Sequence, residues 1–169
     1  LQVYDLDDYK RYNDSYGHGI GDQILKQTAA LIRRCCREHD VVARIGGDEF
    51  AVVFWEKDGP RQPRDAKPGA TPVPSRPPNS VLQIIERFRR LIAAEIFEGL
   101  GTTGKGVLTV SGGLSQYPYD GRTVEELMEA ADRDLVFGAK RAGKNCVFLV
   151  GDSTALPRCD DAGDPPAAR

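Results

Sequence analysis

The sequence of 169 residues lacks any apolar run long enough to cross a membrane, and no signal peptide opens it. It also lacks a charge imbalance, because 23 lysines and arginines face 25 aspartates and glutamates. A basic surface for nucleic acid or for a membrane is therefore not expected. The four cysteines lack the spacing of a metal site, and we interpret them as reduced thiols of a cytosolic protein.

Two adjacent glycines join two apolar runs of β type. Gly46 and Gly47 lie between residues 41–43 and residues 50–55. This pattern predicts a β-hairpin, because glycine reaches the positive φ angles that a tight turn needs. Asp48 and Glu49 would project from its tip. Alone, these acids are typical of a solvated turn, so their meaning depends on the residues that precede them.

Three segments resemble a known family. Residues 46–50, GGDEF, are identical to the signature of the GGDEF domain family, the bacterial diguanylate cyclases. Residues 5–14, DLDDYKRYND, resemble the family segment D-[IL]-D-x-[FY]-K-x-x-N-D, and residues 17–22, GHGIGD, resemble G-H-x-x-G-D. Later motifs extend the resemblance to about residue 150. It implies an α/β (α+β) fold in which helices flank a five-stranded mixed sheet, similar to the palm of nucleotide cyclases and polymerases.

The predicted elements agree with that fold. Their order is β-α-α-β-β-α-β-α-β, and a hairpin among alternating elements indicates a mixed sheet with helices on its faces. The predicted strands are 1–6, the two hairpin strands, 107–117 and 146–150, and the later helices are 22–38, 81–97 and 124–142. The predicted caps are Asp7 or Asp8 for the first helix, Asn79 or Ser80 for the third, and Thr123 with Glu126 as a capping box for the last. Gly17 is predicted to break the first helix, and the glycines at 99, 101 and 104 to end the third.

The domain is predicted to cover residues 1–150. Within it, residues 57–80 hold most of the prolines, a composition typical of a flexible insertion. It is either an inert surface loop or a polyproline strip that binds a partner. Residues 151–169 predict a disordered tail. Because the chain opens inside an apolar segment, we expect a piece of a larger protein with a sensory or dimerising domain upstream.

Acids near two strand ends predict a metal site. Asp5 closes the first strand and Asp48 lies in the hairpin turn, so their carboxylates converge if these strands are adjacent. Mg²⁺ demands such oxygen ligands. The resemblance implies that Asp5, Asp48 and the carbonyl of Leu6 bind two Mg²⁺ (or Mn²⁺) ions per active site, with Asp7 as a further candidate.

The resemblance also implies the catalytic residues. The reaction is the attack of the 3′-hydroxyl of one GTP on the α-phosphate of another. Asp48, or Glu49 beside it, would help to deprotonate that hydroxyl. Lys10 would stabilise the charged transition state, although by itself it is typical of a surface lysine.

Guanine recognition is assigned to the start of the second helix. Asp22 can accept from both donors of the guanine edge, and Asn13 can both donate and accept. The resemblance implies these roles, whereas Asp22 alone is typical of a helix N-cap. His18 either lies near the ligand or orders the loop.

Two further segments are assigned to the phosphates. Gly46 and Gly47 allow the backbone to approach a triphosphate closely. Residues 139–145, AKRAGKN, resemble the family segment A-K-x-x-G-[RK]-N, which implies that Lys140 and Lys144 hold the β- and γ-phosphates. Lysine at 144 replaces the commoner arginine and loses its bidentate geometry. One extra residue precedes Lys140, so either Phe137 takes the place of a family tyrosine or the helix holds a local irregularity.

A product-binding site is also predicted. Arg37 and Asp40 form an R-x-x-D motif with five residues before Gly46, the spacing of the family's inhibitory site. An arginine can fork onto phosphate, and an aspartate can accept from guanine. The alternative is a salt bridge at a helix end. A second arginine is expected from another subunit or from elsewhere in the chain, where Arg87, Arg89 and Arg90 are the candidates.

The sequence thus predicts a bacterial, cytoplasmic diguanylate cyclase domain. It would convert two GTP into cyclic di-GMP and pyrophosphate as a homodimer and be inhibited by its product. Alternatively, it is an inactive domain that binds GTP or cyclic di-GMP as a receptor. A third interpretation is a regulatory domain of a larger cyclase–phosphodiesterase protein.

Overall fold

The fold is seen in a computed structural model that describes residues 1–55, 77–97, 100 and 108–149. The described elements follow the predicted order. The strands are β1 (Gln2–Leu6), β2 (Val41–Arg44), β3 (Glu49–Val53), β4 (Val110–Leu114) and β5 (Val147–Leu149). The helices are α1 (Tyr9–Tyr16), α2 (His18–Cys35), α3 (Asn79–Ala94) and α4 (Val124–Asp134).

The five strands form one mixed sheet in the order β2-β3-β1-β4-β5. β1 is central and pairs antiparallel with both β3 and β4, while β4 and β5 are parallel. All residues of β1 are buried. The predicted five-stranded mixed sheet is confirmed, and its topology places the end of β1 beside the β2–β3 turn.

The two faces of the sheet are covered by different helices. Successive residues of a strand point to opposite faces. Tyr4 lies in the larger core cluster, where its ring packs edge-on against Phe88 of α3 with 5.0 Å between the ring centroids. Its neighbour Val3 lies in a smaller cluster with Ala131 of α4. α4 packs so closely that a Cβ on Gly113 of β4 would lie 2.0 Å from the Ala131 carbonyl oxygen.

Several helix boundaries differ from the prediction. α2 begins at His18, so Gly19 and Gly21 lie inside it, and it ends at Cys35. The break before it is as predicted, because Gly17 has φ 82° and its N–H donates to the Asn13 carbonyl.

Asp8 is the N-cap residue of α1, one of the two that were predicted, although its side chain makes no capping hydrogen bond. The predicted cap of α3 is wrong. α3 follows Pro78, so Asn79 and Ser80 lie in its first turn. α3 ends at Ala94, before the glycines that were predicted to end it.

α4 begins as predicted and ends differently. Thr123 and Glu126 form the expected capping box, with Glu126 N–H donating to Thr123 Oγ1 at 3.2 Å. After Asp134 the chain forms a π-helical segment, Leu135–Ala139, before Lys140. The extra residue is therefore absorbed as a local irregularity, in the way a π-bulge inserts one residue into a helix.

The remaining predictions concern membrane spans, the cysteines, the tail and the proline-rich insertion. No helix in the described ranges is long and apolar enough to span a membrane. Cys35, Cys36 and Cys146 form no disulfide bond among the described residues, and Cys159 lies outside them. The proposed tail lies outside them as well, as does the insertion up to residue 76.

Candidate active site

Acidic residues meet at the end of β1. Asp5 lies opposite Glu49 in the antiparallel pair, and the Leu6 N–H donates to the Asp48 carbonyl at 3.2 Å. The two strands are thus adjacent, as convergence of Asp5 and Asp48 requires. Burial raises the pKa of Asp5, the hydrogen bond from Lys140 opposes that rise, and the charges of Asp48 and Asp7 add to it.

Two lysines from the segment after α4 pair with acids near the end of β1. Lys140 Nζ lies 3.0 Å from Asp5 Oδ2. Lys144 Nζ donates to Asp8 Oδ1 at 2.7 Å, and this hydrogen bond raises the pKa of Lys144. Lys140, predicted to hold a phosphate, therefore lies beside Asp5, predicted to hold the metal, whereas Lys144 lies beside Asp8, which was not assigned to the metal.

Asp7 is held by hydrogen bonds from three residues. It is buried, and its Oδ2 accepts from Thr109 Oγ1 at 2.6 Å and from the Asn145 N–H at 3.1 Å. Its Oδ1 accepts from Ser111 Oγ at 2.8 Å. Asp7 therefore joins β1 to β4 and to the lysine-bearing segment, and it does not cap α1.

The β2–β3 turn is held by Arg44, which directly precedes Ile45 and the glycines. Arg44 Nη2 donates to the Gly47 carbonyl at 2.7 Å, and Nε donates to the Gly46 carbonyl at 3.1 Å. Sequence reasoning did not assign Arg44, although its position beside the turn was the available signal.

The two glycines were expected to have the positive φ angles of a tight turn, and this expectation is wrong. Neither Gly46 nor Gly47 has a φ in the left-handed region. A Cβ on Gly46 would instead lie 2.4 Å from Glu49 Oε2, whereas a Cβ on Gly47 would meet nothing within 4 Å. The Glu49 side chain, as placed, thus leaves no room for a Cβ at position 46, whereas a Cβ at position 47 would lie in open space.

The predicted guanine residues meet where α1 approaches α2. Asn13 Nδ2 and His18 Nδ1 are 3.0 Å apart, so His18 orders Asn13. Asn13 Oδ1 is buried without a hydrogen-bond partner among the described residues. Gly21 makes room for it, because a Cβ there would lie 2.4 Å from that oxygen and 2.7 Å from Tyr9 Oη. Asp22 follows on the exposed side of α2, inside the helix and not at its N-cap.

Tyr9 connects the two halves of this region. Burial raises the pKa of Tyr9, the nearby charges of Asp22 and Asp48 add to the rise, and Arg44 opposes it. The phenol is thus close enough to interact electrostatically with Asp22, proposed for guanine, and with Asp48, proposed for the metal. Lys10, the next residue, is exposed in the first turn of α1.

The donor set suits a hard divalent cation. No group of three or more histidine, cysteine, aspartate or glutamate side chains is gathered for a metal within the described ranges. Mg²⁺ often takes one or two carboxylates and completes its shell with water and phosphate oxygens. Asp5, Asp48 and the Leu6 carbonyl would fit that requirement. Burial is the main cause of the raised pKa of Asp5, and a cation would relieve the repulsion from Asp48 and Asp7 that adds to it.

A second pocket lies at the end of α2. It is lined by Cys35, Cys36, Arg37, Ser80, Gln83, Ile84 and Arg87. Arg87 of α3 also donates from Nη2 to the Cys35 carbonyl. Asp40 is buried, and its carboxylate accepts from the N–H groups of Arg37 at 2.8 Å and Trp55 at 3.3 Å.

The structure separates the three candidate arginines. Arg87 lines the same pocket as Arg37. Arg89 is buried and bonded to Glu86 and Asn145, and Arg90 is exposed and bonded to Glu86. Arg37 and Asp40 are joined by the hydrogen bond from the Arg37 backbone N–H to the Asp40 carboxylate.

Known proteins share this sequence and architecture. The family described as "Diguanylate cyclase, GGDEF domain" matches residues 1–64. Diguanylate cyclase A of Treponema denticola is 30% identical over 150 residues, which are 88% of this chain and 34% of that protein. The chain thus spans about a third or less of the length of the curated relatives it matches.

Two solved structures from Caulobacter crescentus extend the comparison. A sensory box/GGDEF family protein is 32% identical with a TM-score of 0.62, and the match covers 84% of this chain and 78% of that one. The GGDEF domain of DgcB, solved in complex with c-di-GMP, is 29% identical with a TM-score of 0.66, and the match covers 89% and 77%.

Proposed function

The chain belongs to the GGDEF diguanylate cyclase domain family, and on that premise we propose that it condenses two GTP into cyclic di-GMP. The 3′-oxygen of one GTP bonds to the α-phosphorus of the other, the bond to the β-phosphate oxygen breaks, and pyrophosphate leaves. A second attack of the same kind closes the ring. Each domain would hold one GTP, so two copies face each other in a homodimer, with input from other domains of a larger cytoplasmic protein.

The observation that carries this proposal is the meeting of Asp5, Lys140 and the β2–β3 turn at the end of β1. Asp5, Asp48 and the Leu6 carbonyl would hold two Mg²⁺ or Mn²⁺ ions. When bound, such ions neutralise charge on the reacting phosphates. Asp48, or Glu49 beside it, takes the proton of the attacking hydroxyl.

The phosphates would lie between the turn and the lysines. Gly46 and Gly47 present backbone to the triphosphate, and Lys140 and Lys144 bind its β- and γ-phosphates. Both lysines are paired with carboxylates, at 3.0 Å and 2.7 Å. These pairs hold both ammonium groups at the acidic end of β1, where the triphosphate would enter. Lys10 would approach the transition state from α1.

Guanine would bind at the junction of α1 and α2. The buried Asn13 Oδ1 without a partner supports this assignment, because the guanine N1–H or N2–H would satisfy it. Asp22 accepts the other guanine donor, and His18 fixes the Asn13 amide. Adenine presents the opposite polarity and would leave these groups unpaired.

Product inhibition would act at the second pocket. Arg37 and Arg87 line it together, which supports two arginines from one chain gripping the phosphates of cyclic di-GMP. Asp40 orders the turn that carries Arg37, and the family resemblance assigns its carboxylate to the guanine of the product.

A product assay tests the proposed function. We expect purified protein at high concentration, incubated with GTP and Mg²⁺, to yield cyclic di-GMP and pyrophosphate on chromatography. Asp48→Ala should lower the rate by roughly a hundredfold to ten-thousandfold, as loss of a positioned base does. Asp132→Ala, at an exposed site on α4, is the matched control and should leave the rate unchanged.

The π-helical segment before Lys140 favours one alternative. A helix distorted next to a phosphate-binding lysine, with Lys144 in place of arginine, suits a domain that binds GTP or cyclic di-GMP without turnover. Binding by calorimetry with no product at any protein concentration would establish this receptor function and contradict the cyclase.

A further inference from the structure

A buried arginine of α3 makes contacts that the proposed reaction does not use. Arg89 is 3% exposed. Its Nε and Nη2 each donate to one carboxylate oxygen of Glu86 at 2.9 Å, so its guanidinium is fixed on its own helix. Its Nη1 donates to the Asn145 carbonyl at 3.0 Å and to Asn145 Oδ1 at 2.9 Å. One cation therefore ties α3 to the segment that follows Lys144.

The backbone of that segment needs such an anchor. Lys144 has φ 65° and Asn145 has φ 51°. Two consecutive non-glycine residues in the left-handed region are strained, and such conformations persist only where the surroundings hold them. Arg89 holds Asn145 on one side, and Asp7 accepts the Asn145 N–H on the other.

The same contacts reach the acidic end of β1. Asp7 is buried and bonded to Thr109 and Ser111 of the β4 region, so it is a fixed point. Asp8, which follows it, accepts from Lys144 Nζ. The chain of contacts from Arg89 through Asn145 to Asp7 thus spans α3, the lysine-bearing segment and β1.

We propose that Arg89 is a positioning residue for phosphate binding. Its hydrogen bonds hold Asn145 and Lys144 in the left-handed conformation and thereby hold Lys140 and Lys144 beside Asp5 and Asp8. This inference rests on the proposed function only for its effect on GTP, because the anchoring of the segment is a property of the chain without nucleotide.

Hydrogen exchange tests the anchoring in nucleotide-free protein. Arg89→Lys keeps the charge and loses the fork. We expect amide exchange at residues 144 and 145 to accelerate by roughly tenfold or more, while exchange in α2 and β1 is unchanged. Arg90→Lys is the matched control, because Arg90 also bonds Glu86 but is exposed, and it should change nothing. Unchanged exchange at 144–145, or equal acceleration throughout the chain, overturns the proposal.

Two substitutions at position 145 provide the test if Arg89→Lys fails to fold. Asn145→Ala removes the Oδ1 acceptor and keeps the strained φ, whereas Asn145→Gly removes the acceptor and relieves the strain. We expect faster exchange at residue 144 in Asn145→Ala than in Asn145→Gly. Equal exchange in the two variants contradicts a strained segment held by Arg89.

Nucleotide affinity tests the functional consequence. We expect Arg89→Lys to weaken binding of a GTP analogue with a non-cleavable α–β bridge by roughly tenfold, measured by calorimetry with Mg²⁺. Binding of cyclic di-GMP should be unchanged. An unaltered affinity for the analogue, with a loosened segment, overturns the positioning role. If the parent protein itself binds no GTP analogue, the proposed function fails, while the exchange data still decide the anchoring.

Discussion

The two nucleotide sites proposed for this chain differ in how far apart in the sequence their residues lie. The active site is assembled from residues far apart in sequence: the contacts Lys144–Asp8 and Asn145–Asp7 join positions separated by 136 and 138 residues. The product pocket joins parts of the chain that are closer in sequence: Asp40 accepts from Arg37 three positions away, and Arg87 of α3 donates to the Cys35 carbonyl 52 positions away. Ser80, Gln83 and Ile84 of α3 line the pocket as well.

The electrostatic character of the two sites differs as well. At the active site, burial raises the pKa of Asp5, and the charges of Asp48 and Asp7 add to the rise. Lys140, which is paired with Asp5, lowers that pKa in part. At the product pocket, arginines are brought together and the one acid, Asp40, is buried in a turn. The first arrangement suits cations and a polyphosphate, and the second suits an anion alone. Substitutions should therefore abolish turnover at the first site and alter only regulation at the second.

After Asp48→Ala, the largest effect is expected at Lys140. Lys140→Met removes a proposed phosphate ligand and also leaves Asp5 without its cation. We expect the rate of cyclic di-GMP formation to fall by about a hundredfold or more. Lys26→Met, on the exposed side of α2, should have no effect. Retention of the parental rate in Lys140→Met would remove this lysine from the active site.

A smaller effect is expected from a single methyl group at the guanine site. Gly21→Ala would place Cβ 2.4 Å from Asn13 Oδ1, so the amide must shift. We expect the KM for GTP to rise by about tenfold to a hundredfold, because overpacking displaces the recognising group. Gly19→Ala is the matched control, since it lies in the same helix and its Cβ would meet nothing within 4 Å. Equal behaviour of the two variants would contradict the guanine assignment.

The product pocket should respond in inhibition alone. Arg37→Ala and Arg87→Ala should each weaken cyclic di-GMP binding by about tenfold, as loss of a charged hydrogen bond does, and relieve product inhibition. The initial rate should be unchanged, and Arg90→Ala should behave like the parent. Inhibition curves measured with added cyclic di-GMP decide this, and unchanged inhibition in Arg37→Ala would refute the regulatory site.

The smallest effect concerns the pH dependence of stability at the same pocket. Burial raises the pKa of Cys36 from 9.0 to about 11, with the charge of Asp40 as the next cause. The folded state therefore retains this proton where the unfolded state has lost it. We expect stability to fall as pH rises from about 9 to about 11. Cys36→Ala should show a shallower loss in urea unfolding at pH 8.5 and 10.5, and identical slopes would contradict the shifted thiol.

Much of the fold followed from local patterns in the sequence. Gly17 ends α1 because its φ of 82° is available to glycine, and Thr123 with Glu126 forms a capping box from a four-residue pattern. The order of strands and helices is likewise a property of short segments. The boundaries were less well predicted, since α2 accommodates Gly19 and Gly21 inside its first turns.

The candidate site was predicted as a set of residues and not as an arrangement. The motifs named Asp5, Asp48 and Lys140, but they did not indicate that Lys140 pairs with Asp5. Arg44 was not assigned, and Asp7 was considered as a helix cap, for a related reason. Arg44 acts on the carbonyls of a turn, and Asp7 acts on side chains of β4, and both partners depend on the final backbone path.

The sequence by itself therefore determined the family, the order of elements and the chemical types at each site, because these depend on residue identity and on spacing within one segment. Only the tertiary structure decided which arginine joins Arg37, how the extra residue before Lys140 is absorbed, and what Asn145 contacts. One residue rotates a following helix by about 100°. The π-helical segment and the left-handed residues after it therefore set the positions from which Lys140, Lys144 and Asn145 meet their partners.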